Sequence, residues 1–464
     1  MPDAPRVGLL PLYLKLYDEV RPEARPEMEA FADRVAEKLQ SAGLDVLRGE
    51  TACVRFEVER TLRQLMEREP DLLATLHLAY SPSLESVDAL THTQIPLLML
   101  DTTPKPDFGE DATADDMFAN HGIHGVQDLA CMMRRNSRQY RLAVGHIDDP
   151  EFLAEVGLVA RAAQATHAMR TMRVVVFGDP FPGMGDFTVM EETLRAHLGV
   201  QIQPVTIRAL ALRAARITDE EVAAETAADA QSCDVSGVPG PALDLTNRTG
   251  LAMRRMVEEL NGGAMSFNFA SFVAESGVET VPFLEASKAM ARGLGYAGEA
   301  DALTAALVGA LAQGGCTTTF TEMFCPDWAG GTIFMSHMGE CGLHLAAEPP
   351  KLVEKHYAFS DVGNPVIAVP KLRPGQATLI NIAPGPHSSF GLIAARVEVL
   401  DRGPVAGFPD VPHYWLRPVD HDLPTFLRRY SELGGTHHLA LCLGEEVEFA
   451  RVFAELLGID FSVV

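Results

Sequence analysis

The sequence predicts an α/β protein: two Rossmann-like or flavodoxin-like α/β domains followed by a β-rich, barrel-like C-terminal domain. Three observations carry this expectation. Short apolar runs alternate with helical periodicity from Val7 as far as Gly295, the rhythm of a mostly parallel sheet with helices on both faces. Past Thr317 the texture shifts to short β-rich runs separated by Pro and Gly. Finally, 464 residues exceed what one ordinary core serves. Domains are expected at 1–171, 172–316 and 317–464.

The elements follow in order. Residues 7–12 form an apolar strand, and Met28, Phe31, Val35 and Leu39 recur at helical spacing after it. Gly43 stops that helix and 44–47 starts a second strand. A helix over 56–67, strands over 72–79 and 95–100, and a long helix over 114–135 continue the βαβ pattern. A helix over 150–171 leads into Arg173-Val174-Val175-Val176-Phe177, a buried strand that opens a second α/β unit. Its helices are predicted at 190–198, 219–230, 243–260 and 283–292, with a strand over 266–269. Strands at 332–335, 365–369, 377–382 and 392–400 then suggest an antiparallel barrel, and helices over 423–433 and 445–457 close the chain.

Composition excludes several classes. The chain is 47% hydrophobic and 22% charged, as in globular proteins, and its formal net charge is -25. That balance argues against a nucleic-acid partner, which needs clustered Lys and Arg. No apolar stretch is long enough to span a bilayer, and the first residues lack the basic lead of a signal peptide. Seven scattered cysteines without CxxC spacing suit reduced thiols, so a cytoplasmic location is expected.

The chemistry concentrates in a passage that opens with Gly295-Tyr296-Ala297-Gly298-Glu299-Ala300-Asp301 and closes with Ser336-His337-Met338. Glu299 stands where a helix is expected to begin, and there an acid can simply satisfy the helix dipole. Glu322 follows the strong β-former run Thr317–Thr321 and is expected at a strand end, either exposed or functional. His337 follows an apolar strand, where a lone histidine is commonly a satisfied core residue. Gly434-Gly435-Thr436-His437-His438 offers two imidazoles that point to opposite sides of an extended chain, so one at most reaches a given site.

As a set, Glu299, Glu322, His337 and His438 make a borderline-hard donor group suited to Mn2+, with Co2+ or Mg2+ as options. Four protein ligands on an octahedral ion leave two positions for a 1,2-diol or hydroxy-carbonyl. In the first domain, His121-Gly122-Ile123-His124-Gly125 is read as a substrate contact, with exposed loop histidines as the plainer alternative. Gly178–Gly185 follows a strand but carries two prolines and the wrong glycine spacing for a dinucleotide fingerprint, so it reads as a βα loop.

These segments resemble the L-arabinose isomerase branch of the arabinose/fucose isomerase superfamily. Gly295–Asp301 is similar to that family's Gly-x-Gly-Glu-Gly-Asp-Trp, Phe320-Thr321-Glu322 to its second glutamate segment, and Ser336-His337-Met338 to its Ser-His-Met. Gly434–His438 is similar to its Gly-Gly-Ala-His-His. The resemblance implies Glu299, Glu322, His337 and His438 as Mn2+ ligands, with both glutamates doubling as acid/base groups in an aldose–ketose conversion. It implies His124 as a catalytic aid at the sugar, reaching across a subunit interface of a homo-oligomer, and Phe272 and Met338 as pocket-lining residues beside the substrate contact read at His121. Departures concern the sugar: Leu9, Leu10 and Pro11 fall where the family has Ser, Gln and His, His121 replaces a glutamine, and Ala302 replaces a tryptophan. A sugar isomerase acting on something other than L-arabinose is therefore expected. A metal-dependent epimerase or a non-catalytic sugar-binding protein are the alternatives.

Overall fold

A computed structural model describes residues 3–464, which form two compact units, 3–164 and 165–464. The first unit is built on a five-stranded parallel sheet. Its strands are β1 (Arg6–Leu12), β2 (Asp45–Arg48), β3 (Leu72–His77), β4 (Leu97–Asp101) and β5 (Arg141–Val144), in spatial order β2-β1-β3-β4-β5. This is the flavodoxin-like order. β1 and β3 are buried almost throughout, as parallel strands covered on both faces must be.

The expected single helix over 114–135 is two helices, Ala114–Asn120 and Ile123–Arg135. The break falls at Gly122, where a Cβ would lie 2.4 Å from the carbonyl oxygen of His77. The chain there crosses the end of β3 too closely for any side chain.

The second unit contains a four-stranded parallel sheet and a barrel. The sheet runs β7-β6-β8-β9, from β6 (Arg173–Phe177), β7 (Gln201–Val205), β8 (Ala264–Phe267) and β9 (Gly295–Gly298). The barrel strands are β10 (Thr318–Asp327), β11 (Thr332–Ser336), β14 (Gly375–Pro384), β15 (Phe390–Val399), β16 (His413–Pro418) and β17 (His438–Leu443). Pairing runs β14-β17-β10-β11-β16-β15 and returns from β15 to β14, which closes six antiparallel strands and leaves no free edge. β18 (Asp460–Val463) adds in parallel to β15, and β12 (Lys351–Glu354) pairs with β13 (Val366–Val369) outside the barrel. Inward residues such as Met335, Leu379, Ile393, Leu416 and Leu441 fill its core.

One helix ties sheet to barrel. Ala302–Gln313 is buried on every side from Ala302 to Leu311, so it reads as hydrophobic all round. It packs on β6, β8 and β9 on one side and on β10, β14 and β17 on the other. The end of β9 and the starts of the barrel strands are thereby held in one rigid frame. Among the described residues no helix is long and apolar enough to cross a membrane, and all seven cysteines are free.

Candidate metal centre

β9 ends at Gly298 and the chain turns at once. Asp301 N–H donates to the Gly298 carbonyl at 3.0 Å, and the two residues between, Glu299 and Ala300, have φ of 60° and 65°. Two consecutive non-glycine residues in the left-handed region are costly, of the order of 1–3 kcal/mol each, and such strain persists where the surroundings impose it. Glu299 thus precedes the helix, whose N-cap is Asp301, with Oδ1 accepting from Thr304 N–H at 2.9 Å.

Glu322 lies inside β10, not at a strand end: the strand continues to Asp327 through a bulge between Met323 and Cys325. Its register partners are Ser336 on β11 and His438 on β17, so three sequence-distant segments meet at one rim of the barrel.

Glu299, His337 and His438, all buried, bring one donor atom each within 4.8 Å of one another. Glu322 is not within that compact triad, but its burial and the charges of Glu299 and Asp186 raise its pKa against the opposing pull of His337 and His437. His438 Nδ1 donates to Asp301 Oδ2 at 3.1 Å, and its Nε2 faces Glu299 Oε2 at 3.5 Å. Burial first, then the neighbouring imidazoles, hold His438 well below the ordinary histidine pKa. It is the neutral ring, with the Nε2 lone pair free.

His337 is oriented by the opposite edge. Its Nδ1 meets Glu340 Oε2 at 2.9 Å, and Glu340 is itself held by the Tyr296 hydroxyl and by Gly339 N–H at 2.7 Å. Burial would lower the His337 pKa, but Glu340 outweighs it and the net direction is upward. Burial pushes Asp301 up to about 7. A Cβ on Gly298 would fall 2.4 Å from His337 Cε1, so only glycine lets the strand pass beneath this ring. Phe320 closes the base, edge-on to His337 at 4.8 Å and to His438 at 4.9 Å.

His438 Nε2 has no hydrogen-bond partner among the described residues, although the ring is fully buried. A buried acceptor left so is expensive unless something else takes it. A divalent ion fits: each histidine carries a carboxylate on its outer nitrogen, the arrangement that fixes tautomer and basicity in histidine metal sites.

Adjacent His437 stays at the edge of the site, outside the compact triad, with its Nδ1 on Asp186 Oδ2 at 2.6 Å and its Nε2 3.9 Å from Glu299 Oε2. Of the other anticipated residues, Met338 is half-buried beside His337, whereas Phe272 is fully buried with its ring 5.5 Å from Phe267. His121 and His124 belong to the 3–164 unit, their rings 5.4 Å apart, with His121 Nε2 2.9 Å from the Tyr17 hydroxyl and His124 exposed. Sequence reasoning missed Asp186, Phe187 and Glu340. Only Glu340 carried a signal, as a carboxylate three residues after a candidate ligand.

Residues 173–315 match the family described as the L-arabinose isomerase central domain, and 317–460 the L-arabinose isomerase C-terminal domain. An L-arabinose isomerase of Nocardioides sp. is 26% identical, covering 96% of this chain and 91% of that protein. One from Aeromonas hydrophila subsp. hydrophila is 25% identical, covering 85% and 80%. One from Mycolicibacterium smegmatis is 26% identical, covering 82% and 77%.

Proposed function

The chain belongs to the L-arabinose isomerase-like family, and from that premise we propose that it is a metal-dependent aldose–ketose isomerase acting on a sugar other than L-arabinose. The observation that carries the metal dependence is the unpartnered, buried Nε2 of His438 beside Glu299 and His337. Glu299, His337 and His438, with Glu322 as the fourth ligand, would hold Mn2+, or Co2+ or Mg2+ in its place. Such an ion supplies Lewis-acid polarisation of a hydroxy-carbonyl unit.

The chain's own groups do the rest. Glu322, as a carboxylate, takes the proton from C2 of the sugar and returns it to C1. Glu299 moves the second proton from O2 to O1, so that atoms and charge balance across the turnover. His337 and His438 keep their outer nitrogens on Glu340 and Asp301 and stay fixed as ligands. The low identity to the arabinose enzymes and the apolar Leu9, Leu10 and Pro11 support a different hydroxyl pattern, because lost hydrogen-bond donors remove discrimination for the original sugar. His121 and His124 would contact the sugar from a neighbouring copy in a homo-oligomer. The free cysteines suit the cytoplasm.

The test is conversion of a panel of aldoses, tetroses to hexoses, by metal-stripped protein before and after Mn2+ addition. Ketose formed from one sugar only with Mn2+ is the expected result and names the substrate. An epimer without ketose would move the reading to an epimerase, and conversion unaffected by chelation would end the metal-dependent one.

A further inference from the structure

The segment 178–190, between β6 and the helix Glu191–Leu198, is longer than a βα connection in a parallel sheet needs. Its far end does not stay with its own sheet. Asp186 Oδ2 accepts two hydrogen bonds from one residue of the barrel, from His437 N–H at 2.9 Å and from its Nδ1 at 2.6 Å. The next residue, Phe187, is 4% exposed and lies flat on His438, with ring centroids 4.7 Å apart and planes 7° from parallel. It also touches His437 at 5.3 Å. Two successive residues of one loop therefore grip two successive residues at the start of β17.

The grip bears on a question that extended geometry leaves open, namely which imidazole of the pair faces the donor set. Two aspartates divide them. Asp186 holds His437 by its Nδ1, with its Nε2 3.9 Å from Glu299 Oε2, while Asp301 takes His438 from behind and leaves its Nε2 nearer, at 3.5 Å, so that only His438 joins the compact donor group. The phenyl ring of Phe187 stacks on one face of the His438 ring, whose nitrogens bond in the ring plane, so it restrains ring rotation without competing for a nitrogen. We infer that Asp186 and Phe187 are positioning residues of the metal centre: they latch the 178–190 loop onto the His437–His438 step and so hold His438 in its ligating orientation. This rests on the metal-centre reading above but concerns residues outside the ligand set, and the ligand class served is a divalent cation.

The test uses the full chain with Mn2+ alone, without sugar. Mn2+ affinity is measured by titration calorimetry, and amide hydrogen exchange is followed over 178–190, for wild type, Asp186→Ala, Asp186→Asn and Phe187→Leu. Asp186→Ala is expected to weaken Mn2+ binding by about tenfold, the low end for loss of an outer-sphere partner, and to speed exchange in the loop by a similar factor. Asp186→Asn keeps an acceptor for the His437 backbone N–H and should recover most of both. Phe187→Leu, which leaves the hydrogen bonds in place, should weaken Mn2+ binding by severalfold and serves if Asp186→Ala does not fold.

Faster exchange with unchanged Mn2+ affinity would overturn the positioning role, since the loop would then be ordered without serving the ligands. Unchanged exchange and affinity in Asp186→Ala would overturn the latch itself, as would Phe187→Leu with wild-type affinity. Wild-type protein that takes up no Mn2+ overturns this inference together with the metal centre. Latch-dependent Mn2+ binding in a protein that converts no aldose would refute the isomerase reading alone.

Discussion

At the residue scale, the turn Gly298–Asp301 holds the most unusual backbone near the site. A β-turn with both central residues at positive φ selects Gly, Asn or Asp, yet this chain places Glu299 and Ala300 there. Glu299 is explained by the donor set it joins. Ala300 is not: its methyl meets the left-handed penalty of about 1–2 kcal/mol, of which glycine's added unfolded-state entropy would return part. Ala300→Gly is therefore expected to stabilise the protein by about 0.5–1 kcal/mol, read as a higher unfolding midpoint in urea with Mn2+ affinity unchanged. A lower midpoint would mean that the methyl packs usefully. Behind the same turn, Asp301→Ala removes the partner of His438 Nδ1 and frees the ring to rotate or change tautomer. Mn2+ affinity should fall about 10–100-fold by calorimetry; wild-type affinity would show that packing alone orients His438. The residues carrying these roles differed in legibility. Glu299, His337 and His438 stood in short motifs with their own local signals. Asp186 sits 251 residues from the histidine it holds, so no window of sequence could have joined them.

At the scale of elements, what was legible tracks burial and period. The strands β1, β3 and β6, buried throughout or in all but their first residue, and the long amphipathic helices declared themselves by apolar runs and by 3.6-residue spacing. β7 did not: Gln201–Val205 is an edge strand, partly exposed, with Pro204 in it. β9 was hidden because in Gly-Tyr-Ala-Gly only Tyr296 favours a strand, and it exists because β8 and the helix Ala302–Gln313 pack against it. β16 and β17 were equally silent, since barrel closure rather than local pattern selects them, and β18 is selected by its parallel pairing with β15. The burial of that helix makes a prediction. Leu307 is fully buried in it, so Leu307→Ala should cost about 2–5 kcal/mol in urea unfolding. Because the helix joins sheet to barrel, Mn2+ affinity should weaken as well. A variant with a large stability loss but wild-type Mn2+ binding would show that the donor set is held by the barrel alone.

At the scale of the whole molecule, a formal net charge of -25 coexists with ion pairs that join elements of the fold. Away from the candidate metal centre, three helices of the second unit, Asp219–Ser232, Gly240–Glu259 and Phe283–Ala291, are joined by one largely buried ionic cluster. Arg254 bridges Glu225 at 2.6 Å and Glu285 at 2.7 Å, and Lys288 reaches Glu225 at 2.8 Å and Asp229 at 2.5 Å. Burial would raise the Glu225 pKa, but Arg254 and Lys288 overcome it and hold it down to about 2. A carboxylate depressed in the folded state stabilises above its unfolded pKa and loses that contribution as pH falls through its folded value. The window here runs from the ordinary glutamate value down to about 2. Asp229 works against it, its pKa raised chiefly by burial, so the net effect is smaller than Glu225 alone would give. Glu225→Gln is expected to destabilise by about 1.5–3 kcal/mol at pH 7, the size of a lost charge-assisted hydrogen bond, because Arg254 and Lys288 keep Glu285 and Asp229 as partners. The difference from wild type should then shrink on acidification, with the two urea unfolding curves converging as pH approaches 2. A gap that stays constant from pH 7 to pH 3 would mean that the Glu225 side chain stabilises by shape and not by charge, and that the cluster does not set the acid limit of this fold.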